Sequence, residues 1–229
     1  MRASRFGANP DSDDNRFITG AALIRTLRGR PFDRLRNRAM GAVRCFVAIE
    51  LDDGARASLA RLQQRLDGGA RDVRWVRVEQ LHLTLKFLGD VDERDLSGIS
   101  DMLAELADHH DPIDVQVRGA GCFPPRGAVR IVWAGLHEPT GRLEKLQADC
   151  EALFAGLGFK QEHRRFAPHV TIGRARPRDR GDAVRRRVEK QSGFEGGVVP
   201  VEEIVLFQSL PGRESVKYVA LSRHTLGGT

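Results

Sequence analysis

Two pairs of residues in this chain have the types and spacing to do acid–base chemistry. His82 and Thr84 lie in His82-Leu83-Thr84-Leu85, and His169 and Thr171 lie in His169-Val170-Thr171-Ile172. Imidazole titrates near neutral pH, so it can accept or deliver a proton. A hydroxyl can donate to an oxygen on which charge is building. Each motif alternates polar and apolar residues, the pattern of a short β-strand with one buried face. Residues two apart on a strand share a face at about 6.5–7 Å. Two such faces turned towards each other would gather two imidazoles and two hydroxyls around a small volume. That is a site for acid–base chemistry on a phosphate, with His82 and His169 catalytic and Thr84 and Thr171 binding phosphate.

The elements that must hold these residues follow from the pattern around them. Residues 44–50 read as a strand, and 53–67 as a helix with Leu59, Leu62 and Leu66 at helical spacing. A short strand at 73–76 leads to the first motif strand, 82–88, which Gly89-Asp90 is expected to end. A helix over 92–108 carries Leu96, Ile99, Leu103 and Leu106 on one face. Strands at 113–119 and 129–136 follow, then a helix from about 140 to 156, the second motif strand at 168–174 and a basic helix over about 179–190. Strands at 201–209 and 216–224, separated by Pro211-Gly212, close the chain. Many neighbouring strands have no helix between them, so the fold class is α+β with antiparallel sheet. Each motif strand follows a helix, which predicts two lobes of similar build with the active cleft between them.

Composition narrows the rest. The chain of 229 residues is 41% hydrophobic, and no apolar run is long enough to span a membrane. The net charge is +6, but residues 1–39 hold nine Arg and four Asp and so account for +5. The basic character therefore does not describe a broad nucleic-acid surface. Residues 1–42 read as a basic, disordered extension or a start placed too early, and 43–226 as one domain. Cys45, Cys122 and Cys150 are odd in number and far apart, which argues against disulfides and cysteine–zinc sites and suits the cytoplasm. The other histidines have no metal spacing with carboxylates, so no metal site is assigned.

The paired motifs, with Cys45-Phe46-Val47-Ala48-Ile49 about 35 residues before the first, resemble the two-histidine phosphoesterase superfamily. Val73-Arg74-Trp75-Val76 before Leu81-His82-Leu83-Thr84-Leu85-Lys86-Phe87-Leu88-Gly89, the Phe123–Gly127 loop, Phe166–Arg174 and Tyr218–Leu221 resemble its RNA 2',3'-cyclic phosphodiesterase branch, also called 2'-5' RNA ligase-like. The resemblance covers about residues 43–226. It implies a bilobal, pseudo-symmetric fold and metal-free hydrolysis of an RNA 2',3'-cyclic phosphate end to a 2'-phosphate. Some members join RNA ends through a 2'-5' linkage.

With that chemistry in view, His169 is assigned as the base acting on water and His82 as the acid on the leaving 3'-oxygen; pseudo-symmetry allows the reverse. Arg174 matches an arginine that follows the family's second motif. Strict alternation puts it on the face away from His169 and Thr171, so a twist or bulge is needed to aim it at phosphate. Phe46 and Lys86 are candidate substrate contacts, Phe46 by stacking on a base and Lys86 because it alternates onto the face of His82 and Thr84. Tyr218, the lone tyrosine, is hinted at a cleft position. Arg185-Arg186-Arg187 and Arg164-Arg165 are candidates for guiding an RNA backbone. The expected form is a monomer acting on RNA ends or small cyclic nucleotides, with no cofactor and no membrane. The alternatives are end ligation on the same site, a non-catalytic RNA- or nucleotide-binding module, and a metal phosphohydrolase, which the scarcity of Asp and Glu beside the motifs disfavours.

Overall fold

The structure, a computed structural model, describes residues 41–69, 71–176, 182–212 and 216–227. The extension read from the sequence at 1–42 lies outside the described residues as far as residue 40. The elements run β1 (Ala42–Glu50), α1 (Asp53–Leu66), β2 (Val73–Trp75), β3 (His82–Asp92), α2 (Leu96–Asp108), β4 (Ile113–Phe123), β5 (Ile131–His137), α3 (Arg142–Gly156), β6 (His169–Ala175), α4 (Asp182–Glu189), β7 (Glu195–Val201), β8 (Glu203–Leu210) and β9 (Lys217–Thr225). None of the described helices is long and apolar enough to cross a membrane.

Local chemistry sets the helix starts. The Asp52 side chain accepts from the Ala55 N–H at 3.1 Å and caps α1, whose Leu59, Leu62 and Leu66 are buried. Glu138 does the same for α3 from further upstream. It accepts from the Thr140 N–H and hydroxyl, the Arg142 N–H and the Leu143 N–H. Burial alone would raise its pKa, but these hydrogen bonds dominate and bring it down to about 2.

The strands form one curled, antiparallel sheet in the order β7-β4-β5-β6-β3-β1-β8-β9, with β2 added on β6. The two expected lobes are thus the halves of a continuous sheet, each of four strands counted outward from a motif strand. The motif strands are neighbours, joined at the pair Leu83↔Val170. Beyond that pair β3 leaves β6, and β2 takes over the same edge of β6 through Val73↔Ala175, Arg74↔Arg174 and Trp75↔Gly173. The helices pack on the sheet, α1 against β7 and β6, α2 against β9 and β8, α3 against β3, and α4 against β4. Cys45, Cys122 and Cys150 are buried, free thiols.

Several boundaries differ from the sequence reading: β4 runs on to Phe123 past the expected end at 119, β8 begins at Glu203, and three further differences have a physical reason. The first motif strand continues through Gly89 to Asp92, because Gly89 adopts φ +76° beside a register shift and the strand bends instead of ending. The helix expected from residue 92 begins with a 3-10 turn, Glu93–Asp95. β7 is an additional strand: Gly196, Gly197 and Pro200 disguise it, and Pro200 is tolerated because β7 lies on the sheet edge. The start of the basic helix expected at 179 lies outside the described residues.

Candidate active site

The alternation read from the sequence is reproduced in burial. Leu83, Leu85, Val170 and Ile172 are at most 4% exposed, while His82, Thr84, His169 and Thr171 are half-buried on the other face. The antiparallel pair Leu83↔Val170 fixes how the four meet. One residue to either side, His82 comes level with Thr171 and Thr84 level with His169. The two histidines are then diagonal neighbours, which in a regular ladder lie about 7–8 Å apart.

Both imidazoles are held in the same way. His82 Nδ1–H donates to the Gln80 carbonyl at 2.8 Å, and His169 Nδ1–H donates to the Ala167 carbonyl at 2.7 Å. A carbonyl only accepts, so each Nδ1 carries a proton and each Nε2 is left for proton transfer. Aromatic rings fix the ring planes. His82 packs against Phe46 at 5.0 Å and edge-on against Tyr218 at 5.1 Å, with Phe207 at 6.4 Å. His169 packs edge-on against Phe123 at 5.1 Å, with Trp133 at 6.4 Å. Burial pushes the His82 pKa down; the Gln80 hydrogen bond opposes it, the Arg174 charge adds to it and Glu50 opposes it.

One residue beyond each threonine the ladder carries a bulge. Leu85 is unpaired between Thr84↔Ala48 and Lys86↔Val47, and Ile172 is unpaired between Thr171↔Trp133 and Gly173↔Val132. An extra residue reverses the alternation that follows it. On β6 this brings Arg174 round to the face of Thr171, where it is exposed and acts on His82. The bulge that strict alternation lacked is therefore present.

On β3 the same reversal overturns the placement of Lys86. It is 4% exposed and points to the helix side, where its ammonium pairs with Glu151 at 2.5 Å and donates to the Lys160 carbonyl at 2.6 Å. Phe87 takes the outward position instead. It is 71% exposed, with its ring 6.1 Å from that of Phe46. Phe46 itself is 3% exposed, so it backs His82 and offers no open ring face. Strict alternation had put Phe87 with Leu83 and Leu85 in the core, which is why the sequence hid it.

The basic helix is also reassigned. Arg185 donates to the carbonyls of Pro124, Pro125 and Gly127, and Arg187 to Leu66 O and the Asp72 carboxylate. Both tie loops to α4, and only Arg186 of the three is exposed. Arg164 and Arg165 are exposed. Among the described residues no group of three His, Cys, Asp or Glu side chains is placed to hold a metal ion.

Gln63 is a residue that sequence reading missed. From α1 its amide donates to Val76 O and to Ile172 O, both at 2.8 Å, and so ties down the bulge on β6. Gln63→Leu removes the partner of the half-buried Val76 carbonyl and leaves Ile172 O with the Val76 N–H alone, and is expected to cost about 1–3 kcal/mol in urea unfolding. A change of only a few tenths would show that the bulge holds without it.

The sequence profile described as the 2'-5' RNA ligase superfamily matches residues 51–213. An RNA 2',3'-cyclic phosphodiesterase of Methanothermobacter thermautotrophicus is 36% identical over 168 residues, 73% of this chain and 90% of that protein. A crystal structure of a Thermus thermophilus protein superposes with a TM-score of 0.67 at 28% identity, covering 81% of this chain and 98% of that one. Escherichia coli LigT complexed with 3'-AMP gives 0.64 at 26% identity, again over 81% and 98%. With its two half-buried histidine–threonine pairs on adjoining strands, the chain belongs to the 2'-5' RNA ligase superfamily, among relatives named as RNA 2',3'-cyclic phosphodiesterases.

Proposed function

We propose that the protein hydrolyses RNA and nucleotide 2',3'-cyclic phosphate ends to 2'-phosphates by metal-independent, two-histidine catalysis. The observation that carries this reading is the doubled Nδ1 tether, which leaves two Nε2 atoms at one site. Water attacks phosphorus and gives its proton to His169. The P–O3' bond breaks, and O3' takes a proton from His82. Thr84 and Thr171 donate to the non-bridging oxygens, and Arg174 adds positive charge at the rim. Phe87 offers an open ring on which a base can stack. The residues 43–226 act as one catalytic domain.

The test is an RNA oligonucleotide ending in a 2',3'-cyclic phosphate, incubated with EDTA and either the wild type or the His82→Ala/His169→Ala double variant. Conversion to a 2'-phosphate by the wild type alone is expected. No conversion between pH 5 and 9 would sink the reading, and a 2'-5'-joined product would point to ligation on the same site.

The pH profile has a sign. kcat/KM should be bell-shaped, with the limb set by His82 below the ordinary imidazole value of about 6.5, since burial lowers it. Arg174→Gln removes a charge that lowers His82, so that limb should move to higher pH. A limb that stays put or moves down contradicts the contact between their charges.

A further inference from the structure

Arg74 stands directly opposite Arg174 across the β2–β6 ladder. Cross-strand neighbours share a face, and the Ile172 bulge has brought that face round to the side of Thr171. Both arginines are exposed, and neither side chain has a hydrogen-bond or ion-pair partner among the described residues. Several other arginines are held by protein groups: Arg223 by carboxylates, Arg187 by a carboxylate and a carbonyl, and Arg185 by three carbonyls. Like charges directly opposite on adjacent strands repel. An anion between them reverses that cost, because each guanidinium offers a planar fork of donors to phosphate oxygens.

The place fits one kind of anion. Allowing for the bulge, Arg174 lies two ladder steps from Thr171, about 7 Å along the strand. That is comparable to the separation of neighbouring phosphates in an RNA strand. We propose that Arg74 and Arg174 form a second anion subsite, next to the histidine–threonine quartet, which takes the phosphodiester on the 5' side of the terminal nucleotide. The subsite rests on the proposed function for what the quartet holds. It makes a polynucleotide end a better substrate than a bare cyclic mononucleotide.

The experiment compares a nucleoside 2',3'-cyclic phosphate with the same compound carrying a 5'-phosphate. The wild type is expected to favour the 5'-phosphorylated compound in kcat/KM by about tenfold, the worth of a charge-assisted contact. Arg74→Gln should remove most of that preference, and Arg74→Lys should keep part of it. For an oligonucleotide, the slope of log kcat/KM against log salt should shrink by about 0.7 in Arg74→Gln, one single-strand phosphate contact. No 5'-phosphate preference in the wild type, or equal losses on both compounds in Arg74→Gln, overturns the subsite. Equilibrium binding of nucleoside 2',5'-bisphosphate against the 2'-monophosphate is measured in parallel. If the wild type turns over neither substrate, the hydrolase reading fails. A 5'-phosphate binding preference lost in Arg74→Gln then still sustains the subsite, and its absence overturns that too.

Discussion

Replacing His82 or His169 by alanine is expected to lower kcat on a cyclic phosphate end by about 10²–10⁴-fold, the usual worth of one positioned acid or base. The double variant should lose much less than the product of the two, because in the proposed mechanism the histidines act on one transition state. Each ring has the same tether, on strands that adjoin at Leu83↔Val170, so neither loss should be trivial. The variants differ in what rescues them. A phosphodiester with a p-nitrophenolate leaving group needs no proton at the departing oxygen. It should restore much of the activity of the variant lacking the acid and little of that lacking the base. Rescue of His82→Ala supports His82 as acid, and rescue of His169→Ala reverses the assignment. Near wild-type turnover by either variant removes that histidine from the mechanism.

Lys86→Met should be the most damaging substitution outside the histidines. The ammonium is buried with Glu151, and the same Glu151 oxygen accepts from the Glu162 N–H at 2.7 Å. Removing the lysine leaves a carboxylate buried without its cation, a loss of about 3–5 kcal/mol. Lys86→Met/Glu151→Met replaces both charges with apolar groups and should recover a large part of that stability. Denaturant unfolding of the three variants checks this; a double variant no better than the single would mean the pair is not the source of the loss. The staple also joins the first motif strand to residues 160–162, on the approach to His169. In the folded Lys86→Met protein kcat should therefore fall more than KM rises.

These two cases mark where the sequence could be read and where it could not. The pairs His82/Thr84 and His169/Thr171 lie before any irregularity in their strands, so simple alternation places them correctly. Lys86, Phe87 and Arg174 lie after the bulges at Leu85 and Ile172. A bulge is a property of the ladder, set by the partner's register, and no residue within Leu-Thr-Leu-Lys-Phe announces it. Arg174 is legible only through the family resemblance, which requires the bulge that simple alternation does not supply. Long-range neighbours were equally hidden: Arg74 meets Arg174, and Gln63 meets Ile172, across a hundred residues of chain. β7 is hidden because glycine and proline obscure an edge strand, and the single sheet because, among the described residues, the one pair Leu83↔Val170 joins β3 to β6.

The two bulges occupy equivalent places after equivalent motifs, yet they expose unlike side chains, an aromatic ring at Phe87 and a guanidinium at Arg174. A half-turn about the Leu83↔Val170 pair exchanges His82 with His169 and Thr84 with Thr171, so the quartet by itself is blind to direction. RNA is a directional polymer with a base on one side of each linkage and a charged backbone running on to the next. The same half-turn exchanges Phe87 with Arg174, which are not alike, and Ala48 with Trp133, which are not alike either. Under the proposed function, the sense in which an RNA strand lies across the site is set by the residues that the irregular backbone turns outward, while the quartet keeps its symmetry.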